Sequence, residues 1–166
     1  MILWLILAAW GAAVAYPFVL EALRPAMNAS RRKAAPGQFT RLSQGTTHYQ
    51  WHGPEDGPVA VCVHGLTTPS FVWGPITQAL AAMGHRVLTY DLFGRGFSDR
   101  PGGEQDAGFF IRQLDDLLEH QGVTQPVTLL GYSMGGAIGA AYAAKHPDRV
   151  AHLALIAPAG FGHDLG

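Results

Sequence analysis

The longest apolar stretch of the chain lies at its start. Residues 2–20 read ILWLILAAWGAAVAYPFVL and contain no charged side chain. At about 1.5 Å per helical residue they span roughly 28 Å, close to the hydrocarbon thickness of a bilayer. We therefore predict one membrane-spanning helix, with residues 1–23 as a transmembrane anchor. A cleaved signal peptide is the alternative, because Ala13-Val14-Ala15 offers a small-x-small cleavage site, but its basic n-region is missing.

Residues 24–38, RPAMNASRRKAAPGQ, show no apolar periodicity and are rich in proline, alanine and basic side chains, which predicts a linker. The positive charges follow the apolar run, so the C-terminal side is expected to be cytoplasmic. The same cluster is suited to anionic headgroups. Asn28-Ala29-Ser30 matches a glycosylation sequon, which we interpret as chance on that orientation. The basic residues are Arg24, Arg31, Arg32 and Lys33.

From residue 39 onward, short apolar segments alternate with amphipathic ones. The strand-like segments are FTRLS, THYQWH, PVAVCVHG, HRVLTYD, PVTLLGYS and RVAHLALIAP; the helical ones are WGPITQALAAMG, DAGFFIRQLDDLLEHQG and MGGAIGAAYAAKHP. The first two strands flank Gly45 and predict a hairpin. Strict alternation of apolar strands with helices then predicts an α/β fold, a mostly parallel doubly wound sheet of about six strands covered on both faces.

Composition narrows the function classes. The chain has 166 residues, 48% hydrophobic and 14% charged, with a net charge of −1, which gives no reason to expect nucleic acid as a partner. The single cysteine, Cys62, excludes an internal disulfide framework and a Cys-only metal site. No predicted helix carries two histidines at metal-binding spacing, so we predict no metal. Cys62 itself lies within a strand and is expected to be a buried small side chain.

Ligands in such sheets bind beyond the carboxyl ends of the strands, and three loops there have unusual composition. They read HGLTTPSFVW, DLFGRGFSDRPGG and GYSMGG. The third matches G-x-S-x-G between a strand and a helix, around Ser133. A serine that projects from the top of a sheet occupies a sharp, strained turn, where side chains at the flanking glycines would collide with strand and helix. The following helix N-terminus favours negative charge on a substrate oxygen.

Together these three motifs resemble the α/β-hydrolase family, from about Phe39 to the end of the chain. The resemblance implies that Ser133 is the nucleophile. It also implies that the backbone N–H groups of Met134 and Leu66 form an oxyanion hole. His64 is then structural, orienting the oxyanion loop, and the loop that begins at Asp91 braces the site. The residues that support the motifs are His64, Gly65, Gly131, Gly135 and Asp91.

Other interpretations of these loops are weaker. Gly94 and Gly96 suggest the start of a dinucleotide fingerprint, but the third glycine is missing and Pro101 follows where a helix should open, so we reject a nucleotide site. No cofactor is expected. A direct proton-transfer role for His64 remains an alternative. Phe71 and Trp73 are candidates either for the mouth of the pocket or for the core.

The acid and the histidine of a triad are harder to find. The family order, nucleophile then acid then histidine, places both after Ser133, where only 33 residues follow. His146 and Asp148 belong to a predicted helix end, and His152 lies in a strand. His163 and Asp164 are adjacent, so they cannot readily align in series with a serine on another loop. We find no convincing base or acid among the residues His146, Asp148, His152, His163 and Asp164.

The last apolar segment, residues 150–157, is typical of a strand buried between neighbours, and without a further partner it is an exposed edge. We therefore hypothesise that residues 39–166 are the N-terminal part of a longer hydrolase domain. The expected function is a membrane-anchored serine hydrolase that cleaves a small, lipid-like carboxylic ester through an acyl-enzyme on Ser133. The alternatives are amide or C–C bond hydrolysis, and a catalytically inactive scaffold. Substrate choice lies in a cap and in pocket walls, and no pattern indicates an oligomeric state.

Overall fold

A computed structural model describes residues 2–23 and 27–160. Arg24 of the basic cluster and the tail with His163 and Asp164 lie outside the described residues. The strands are β1 Gln38–Arg41, β2 Thr46–His52, β3 Val59–Val63, β4 Arg86–Tyr90, β5 Val127–Tyr132 and β6 Val150–Ile156. The helices are α1 Ile2–Ala22, α2 Ala29–Ala34, α3 Gly74–Ala82, α4 Ala107–His120 and α5 Met134–Lys145, with 3₁₀ turns at Ser70–Trp73 and Pro147–Arg149.

The six strands form one sheet in the order β1-β2-β4-β3-β5-β6. The pairs β1/β2 and β2/β4 are antiparallel, and the remaining pairs are parallel. The predicted mostly parallel sheet and its opening hairpin are therefore confirmed. Because β4, β3 and β5 are parallel neighbours, the loops that follow them leave the same edge of the sheet, which we call the carboxyl edge.

Alternating side chains of β3 show how the two faces are covered. Val61 and Val63 pack in a large core with α4 and α5, whereas Ala60 and Cys62 face the smaller core below α3. Cys62 is buried, as predicted, and burial raises the pKa of its thiol to about 12. Asp106 caps the N-terminus of α4, because its carboxylate accepts the Phe109 N–H at 2.7 Å. The predicted apolar face of this helix is buried at Phe110, Leu114, Leu117 and Leu118.

Strand β6 is the outermost strand on the β5 side of the sheet. Within the described residues it pairs only with β5. Residues 151–154 are exposed on both faces, and Leu153 and Ile156 each retain 39% of their accessible surface. The strand thus has the composition of a buried element and the environment of an edge, as the sequence predicted.

The N-terminal part consists of two helices. In α1, residues Ile2–Leu20 have a mean hydropathy of 2.0 and none is buried, so the helix is long and apolar enough to cross a membrane; a signal sequence has the same properties. The predicted linker contains a helix, α2, because the Asn28 side chain caps it by accepting the Arg31 N–H at 3.0 Å. Arg32 of this helix donates to the Asp99 carboxylate of the main domain.

Candidate active site

The three predicted loops meet at the carboxyl edge. A Cβ added to Gly65, in the loop after β3, would lie 3.1 Å from the Ser133 Cβ, so these two loops are in direct contact. The loop after β4 joins them through the Leu92 N–H, which donates to His64 Nε2 at 2.9 Å. One cluster therefore contains all three sequence motifs.

Ser133 occupies the sharp turn between β5 and α5. Its backbone has φ 53° and ψ −119°, a conformation that side-chain-bearing residues rarely adopt. Such strain costs on the order of 1–3 kcal/mol and persists only where the surroundings enforce it. Here the Ser133 N–H donates to the Ile156 carbonyl at 3.0 Å. The Ser133 carbonyl accepts the N–H groups of Gly136 and Ala159, both at 2.9 Å. The turn is therefore tied to both α5 and the end of β6.

The glycines around Ser133 are sterically required. A Cβ at Gly131 would overlap the backbone of Gly135 and Gly136 at the start of α5. A Cβ at Gly135 would overlap the Val63 carbonyl oxygen at the end of β3. The missing side chains let α5 begin directly against β3 and β5, which brings the first turn of the helix beside Ser133.

Two backbone N–H groups adjoin this turn. Met134 is the first residue of α5, and the N–H groups of the first helical turn have no acceptor within the helix. Leu66 follows Gly65, the residue that contacts Ser133. Its side chain is 54% exposed, and its carbonyl oxygen accepts Arg95 Nε at 3.4 Å. The start of α5 adds the positive end of a helix dipole to this region.

His64 is buried and uses both ring nitrogens. Nδ1 lies 2.7 Å from the Gly65 carbonyl oxygen, and Nε2 accepts the Leu92 N–H at 2.9 Å. This pairing requires the neutral tautomer with the proton on Nδ1. Burial lowers the pKa of His64, and the nearby Arg95 charge lowers it further, against the opposing effects of Gly65 and Asp91. The ring therefore links the loop after β3 to the loop after β4 and has no nitrogen left for proton transfer.

Asp91 is buried at the start of the loop after β4. Its carboxylate accepts the N–H groups of Ser70 at 2.8 Å and Phe97 at 2.9 Å, and it contacts His48 Nδ1 at 2.8 Å. Burial raises the pKa of Asp91, but the hydrogen bonds from His48, Phe97 and Ser70 lower it more, so the net shift is downward. The carboxylate holds together β2, the loop after β3 and its own loop.

His48 is the partner that sequence reasoning missed. It lies within β2, its side chain is 1% exposed, and its Nε2 contacts the Pro36 carbonyl oxygen. Burial lowers the pKa of His48, but the bonds to Asp91 and Pro36 outweigh it and the net pKa is raised. No local signal marks this residue, because the segment THYQWH is an ordinary alternating strand and Asp91 is distant in sequence.

The remaining residues of the loop after β4 are also engaged. The Ser98 hydroxyl donates to the Asp91 carbonyl at 2.6 Å, and Asp99 binds Arg32 and the Thr46 N–H. Arg95 Nη1 donates to the Phe93 carbonyl and to Gln105 Oε1, each at 2.8 Å. An open cavity of about 450 Å³ lies beside this loop; its lining includes Leu66, Thr67, Pro69, Arg95, Arg100 and Gln105.

Phe71 and Trp73, the two aromatic candidates for the mouth of the pocket, lie in different environments. Trp73 is 2% exposed and belongs to the core beneath α3, whereas Phe71 is 75% exposed near the carboxyl edge. Only Phe71 is available to a ligand or to another surface.

The two downstream histidines that the structure describes, His146 and His152, lie far from Ser133. His146 caps the C-terminal end of α5, and its Nε2 is 3.3 Å from Asp115. Asp148 precedes β6, and His152 pairs with Thr128 near the start of β5. Ser133 follows the other end of β5, so about 20 Å of strand separates it from Asp148. Among the described residues, no hydrogen bond joins a histidine to Ser133, and no group of three or more His, Cys, Asp or Glu residues is arranged to hold a metal ion.

Comparison with known proteins identifies relatives of this arrangement. A family model described as alpha/beta hydrolase fold matches residues 58–165. A cis-3-alkyl-4-alkyloxetan-2-one decarboxylase from Xanthomonas campestris is 33% identical, with 68% of this chain and 40% of the relative covered. A haloalkane dehalogenase from Mycolicibacterium paratuberculosis is 38% identical, with 65% of this chain and 36% of that enzyme covered.

Among solved structures, the enol-lactonase from Burkholderia xenovorans superposes with a TM-score of 0.67 at 29% identity, covering 70% of this chain and 45% of the lactonase. The chain thus spans less than half the length of each of these relatives.

Proposed function

Because the chain belongs to the alpha/beta hydrolase fold family, we propose that it carries the nucleophile of a serine hydrolase that cleaves carboxylic esters. The observation that supports this most directly is the positive φ of Ser133 at the junction of β5 and α5. A strained serine in this position is typical of a nucleophile whose hydroxyl must project from the sheet.

In the proposed reaction, Ser133 Oγ attacks the ester carbonyl and forms a tetrahedral intermediate. The backbone N–H groups of Leu66 and Met134 stabilise its oxyanion, a contribution of roughly 3–4 kcal/mol for each donor. Collapse of the intermediate releases the alcohol and leaves an acyl-enzyme, which water hydrolyses. His64, Gly65, Gly131, Gly135 and Asp91 position these groups. The mechanism also needs a general base and an acid, and among the described residues no histidine is hydrogen-bonded to Ser133.

By their names, the relatives act on different kinds of electrophile. A serine nucleophile such as Ser133 favours carbonyl compounds among them. A serine that displaced a leaving group from a saturated carbon, as in a haloalkane, would form an ether, which water does not readily hydrolyse. A serine that attacks a carbonyl forms an ester, which water can hydrolyse, so turnover is completed. The lactonase among the structural relatives acts on a cyclic ester by its name. Ser133 therefore supports acyl transfer.

We further propose that α1 anchors the protein in a membrane, with the domain on the cytoplasmic side and a lipid-like ester as the substrate. The length and hydropathy of Ile2–Leu20 support this, together with the basic residues that follow. Deletion of residues 1–23 should move the protein from the membrane fraction to the soluble fraction. Unchanged membrane association after the deletion would contradict the anchor.

A fluorophosphonate probe tests the nucleophile, because it labels only an activated serine. We expect the full-length protein to be labelled, Ser133→Ala to lose labelling, and the exposed control Ser30→Ala to retain it. Labelling that survives in Ser133→Ala would exclude Ser133. A folded full-length protein that takes up no probe would instead favour the inactive scaffold.

A further inference from the structure

The short helix α2 is fastened to the main domain at a defined point. The Arg32 guanidinium donates to the Asp99 carboxylate, and both side chains are about three-quarters buried, at 24% and 25% exposure. The Arg32 guanidinium carbon also lies 5.6 Å from the centre of the Phe39 ring. Just after α2, the Pro36 carbonyl contacts the buried His48 ring. We call the contact between Arg32 and Asp99 the clasp.

Asp99 is held firmly on the domain side of the clasp. Its N–H donates to the Thr46 carbonyl at 2.9 Å, and its Oδ2 accepts the Thr46 N–H at 2.8 Å. Its own carbonyl accepts the Gly94 N–H at 2.8 Å. These bonds join the loop after β4 to the start of β2. The clasp therefore connects α2 to a well-supported part of the carboxyl edge.

Chain length limits how far this edge can lie from α1. Helix α1 ends at Ala22 and α2 begins at Ala29. The seven Cα-to-Cα steps between them extend to about 25 Å at most. If α1 spans a membrane, the clasp keeps the carboxyl edge within about that distance of the surface. The opposite edge of the sheet lies a strand length, about 20 Å, from the carboxyl edge.

Ser133 lies on the edge that the clasp holds. In the sheet order, β4 and β5 flank β3, so the loops with Asp99 and Ser133 are about 10 Å apart across the strands. The loop after β3 lies between them and exposes Leu66 at 54% and Phe71 at 75%. These exposed apolar side chains suit the acyl region of a phospholipid surface.

We propose that the clasp turns the carboxyl edge toward the bilayer that α1 spans, so that an ester of a membrane lipid reaches Ser133 from the lipid side. The proposal rests on the proposed function, in which α1 is the anchor and Ser133 the nucleophile. It adds the orientation of the site, the surface that faces the lipid, and the source of the substrate.

Depth-dependent quenching tests the orientation. The full-length protein is reconstituted into phosphatidylcholine vesicles with some phosphatidylglycerol, and a fluorophore is attached to a cysteine introduced as Thr67→Cys or Glu55→Cys. Both positions are exposed, Thr67 after β3 and Glu55 in the turn before it, at the opposite edge. Cys62 is fully buried and does not compete for the label. Headgroup spin-labelled lipid should quench the label at position 67 at least threefold more than the label at position 55.

Two changes test the cause of the orientation. Arg32→Ala removes the clasp and should reduce the difference in quenching, whereas the exposed neighbour Lys33→Ala should leave it intact. If Arg32→Ala fails to fold, ten Gly/Ser residues inserted between residues 26 and 27 lengthen the connection without altering the domain. The insertion should lower the quenching at position 67.

The outcomes separate this proposal from the function on which it rests. Equal quenching at the two positions, in vesicles that float with the protein, overturns the orientation and leaves the anchor and Ser133 in place. Protection of position 67 from aqueous iodide without lipid quenching overturns it in favour of a protein partner. Loss of flotation overturns both the anchor and the orientation, whereas fluorophosphonate labelling of Ser133 reports on the nucleophile alone.

Discussion

The turns that follow β4 and β5 lie at the same edge of the sheet, yet they are held by different means. The turn at Ser133 depends on a strained backbone and on missing side chains, since Gly131 and Gly135 leave space that a Cβ would fill. The turn at Asp91 depends on a buried carboxylate with three hydrogen-bonded partners. One turn therefore displays its serine by steric exclusion, whereas the other holds two loops and β2 together through a buried charge.

The largest effect is expected at the turn after β4. Asp91→Ala removes one partner of a buried pair and leaves His48 without its carboxylate, so the free energy of unfolding should fall by about 3–5 kcal/mol. Urea denaturation measures this change. Asp56→Ala, at an exposed position, is the control and should stay within about 0.5 kcal/mol of the wild type. A loss below about 1 kcal/mol for Asp91→Ala would mean that the pair does not support the edge.

The next effect tests steric exclusion at the other turn. Gly135→Ala places a Cβ against the carbonyl oxygens of Val63 and His64, and the overlap should cost about 1–3 kcal/mol of stability. Gly139→Ala is the matched control in the same helix, because its Cβ would meet the nearest atoms at 3.6 Å, an ordinary contact. Alanine there should be neutral or stabilising by up to about 1 kcal/mol. Equal effects of the two substitutions would rule out the close packing of α5 on β3.

A smaller effect reports the strain at Ser133 itself. Ser133→Gly should relieve about 1–3 kcal/mol of backbone strain and lose about 0.5–1 kcal/mol through the greater freedom of glycine in the unfolded chain. It should therefore be about 1 kcal/mol more stable than Ser133→Ala, which keeps the Cβ. Thermal denaturation of the two variants measures the difference directly. Both should fail to react with fluorophosphonate. A less stable glycine variant would show that the turn is not strained.

The smallest effect is the pH dependence of the buried pair. The lowered pKa of Asp91 means that its contribution to stability is present above the unfolded value of about 3.9 and is lost as pH falls through the folded-state pKa. The raised pKa of His48 means that its contribution is present below about 6.5 and is lost as pH rises through the folded-state pKa. Stability should therefore be greatest between these limits.

Urea denaturation at a series of pH values from 3 to 9 should show both declines. His48→Asn should lack the decline on the alkaline side, whereas the exposed control His120→Asn should keep it. A wild-type stability that stays constant from pH 6 to pH 9 would show that His48 does not titrate in the folded protein.

Sequence patterns predicted the local features of both turns. The order of strands and helices and the convergence of three loops follow from periodicity and from the rule that parallel strands end at one edge. The strained serine between glycines follows from the G-x-S-x-G motif. The partners of Asp91 could not be predicted in this way. His48 and Ser70 are 43 and 21 residues away in sequence, and nothing in their own segments marks them.

In the linker, too, a contact between distant residues could not be predicted from the sequence. Its basic residues are visible in the sequence, but the contact between Arg32 and Asp99 bridges 67 residues and appears only in the folded chain. The exposed state of β6 is an intermediate case. Its apolar composition by itself predicts a strand buried between two neighbours. Its exposure could be predicted only by noting that the sequence offers one neighbouring strand for it, β5.

The apolar N-terminal helix, the α/β alternation and the position of Ser133 are predictable from sequence, because each depends on residues close together in the chain. The tertiary structure alone decided which side chain pairs with Asp91, how His64 joins two loops, and where α2 contacts the domain. Those contacts form between segments that the sheet order brings together, and periodicity within one segment carries no information about its distant partner.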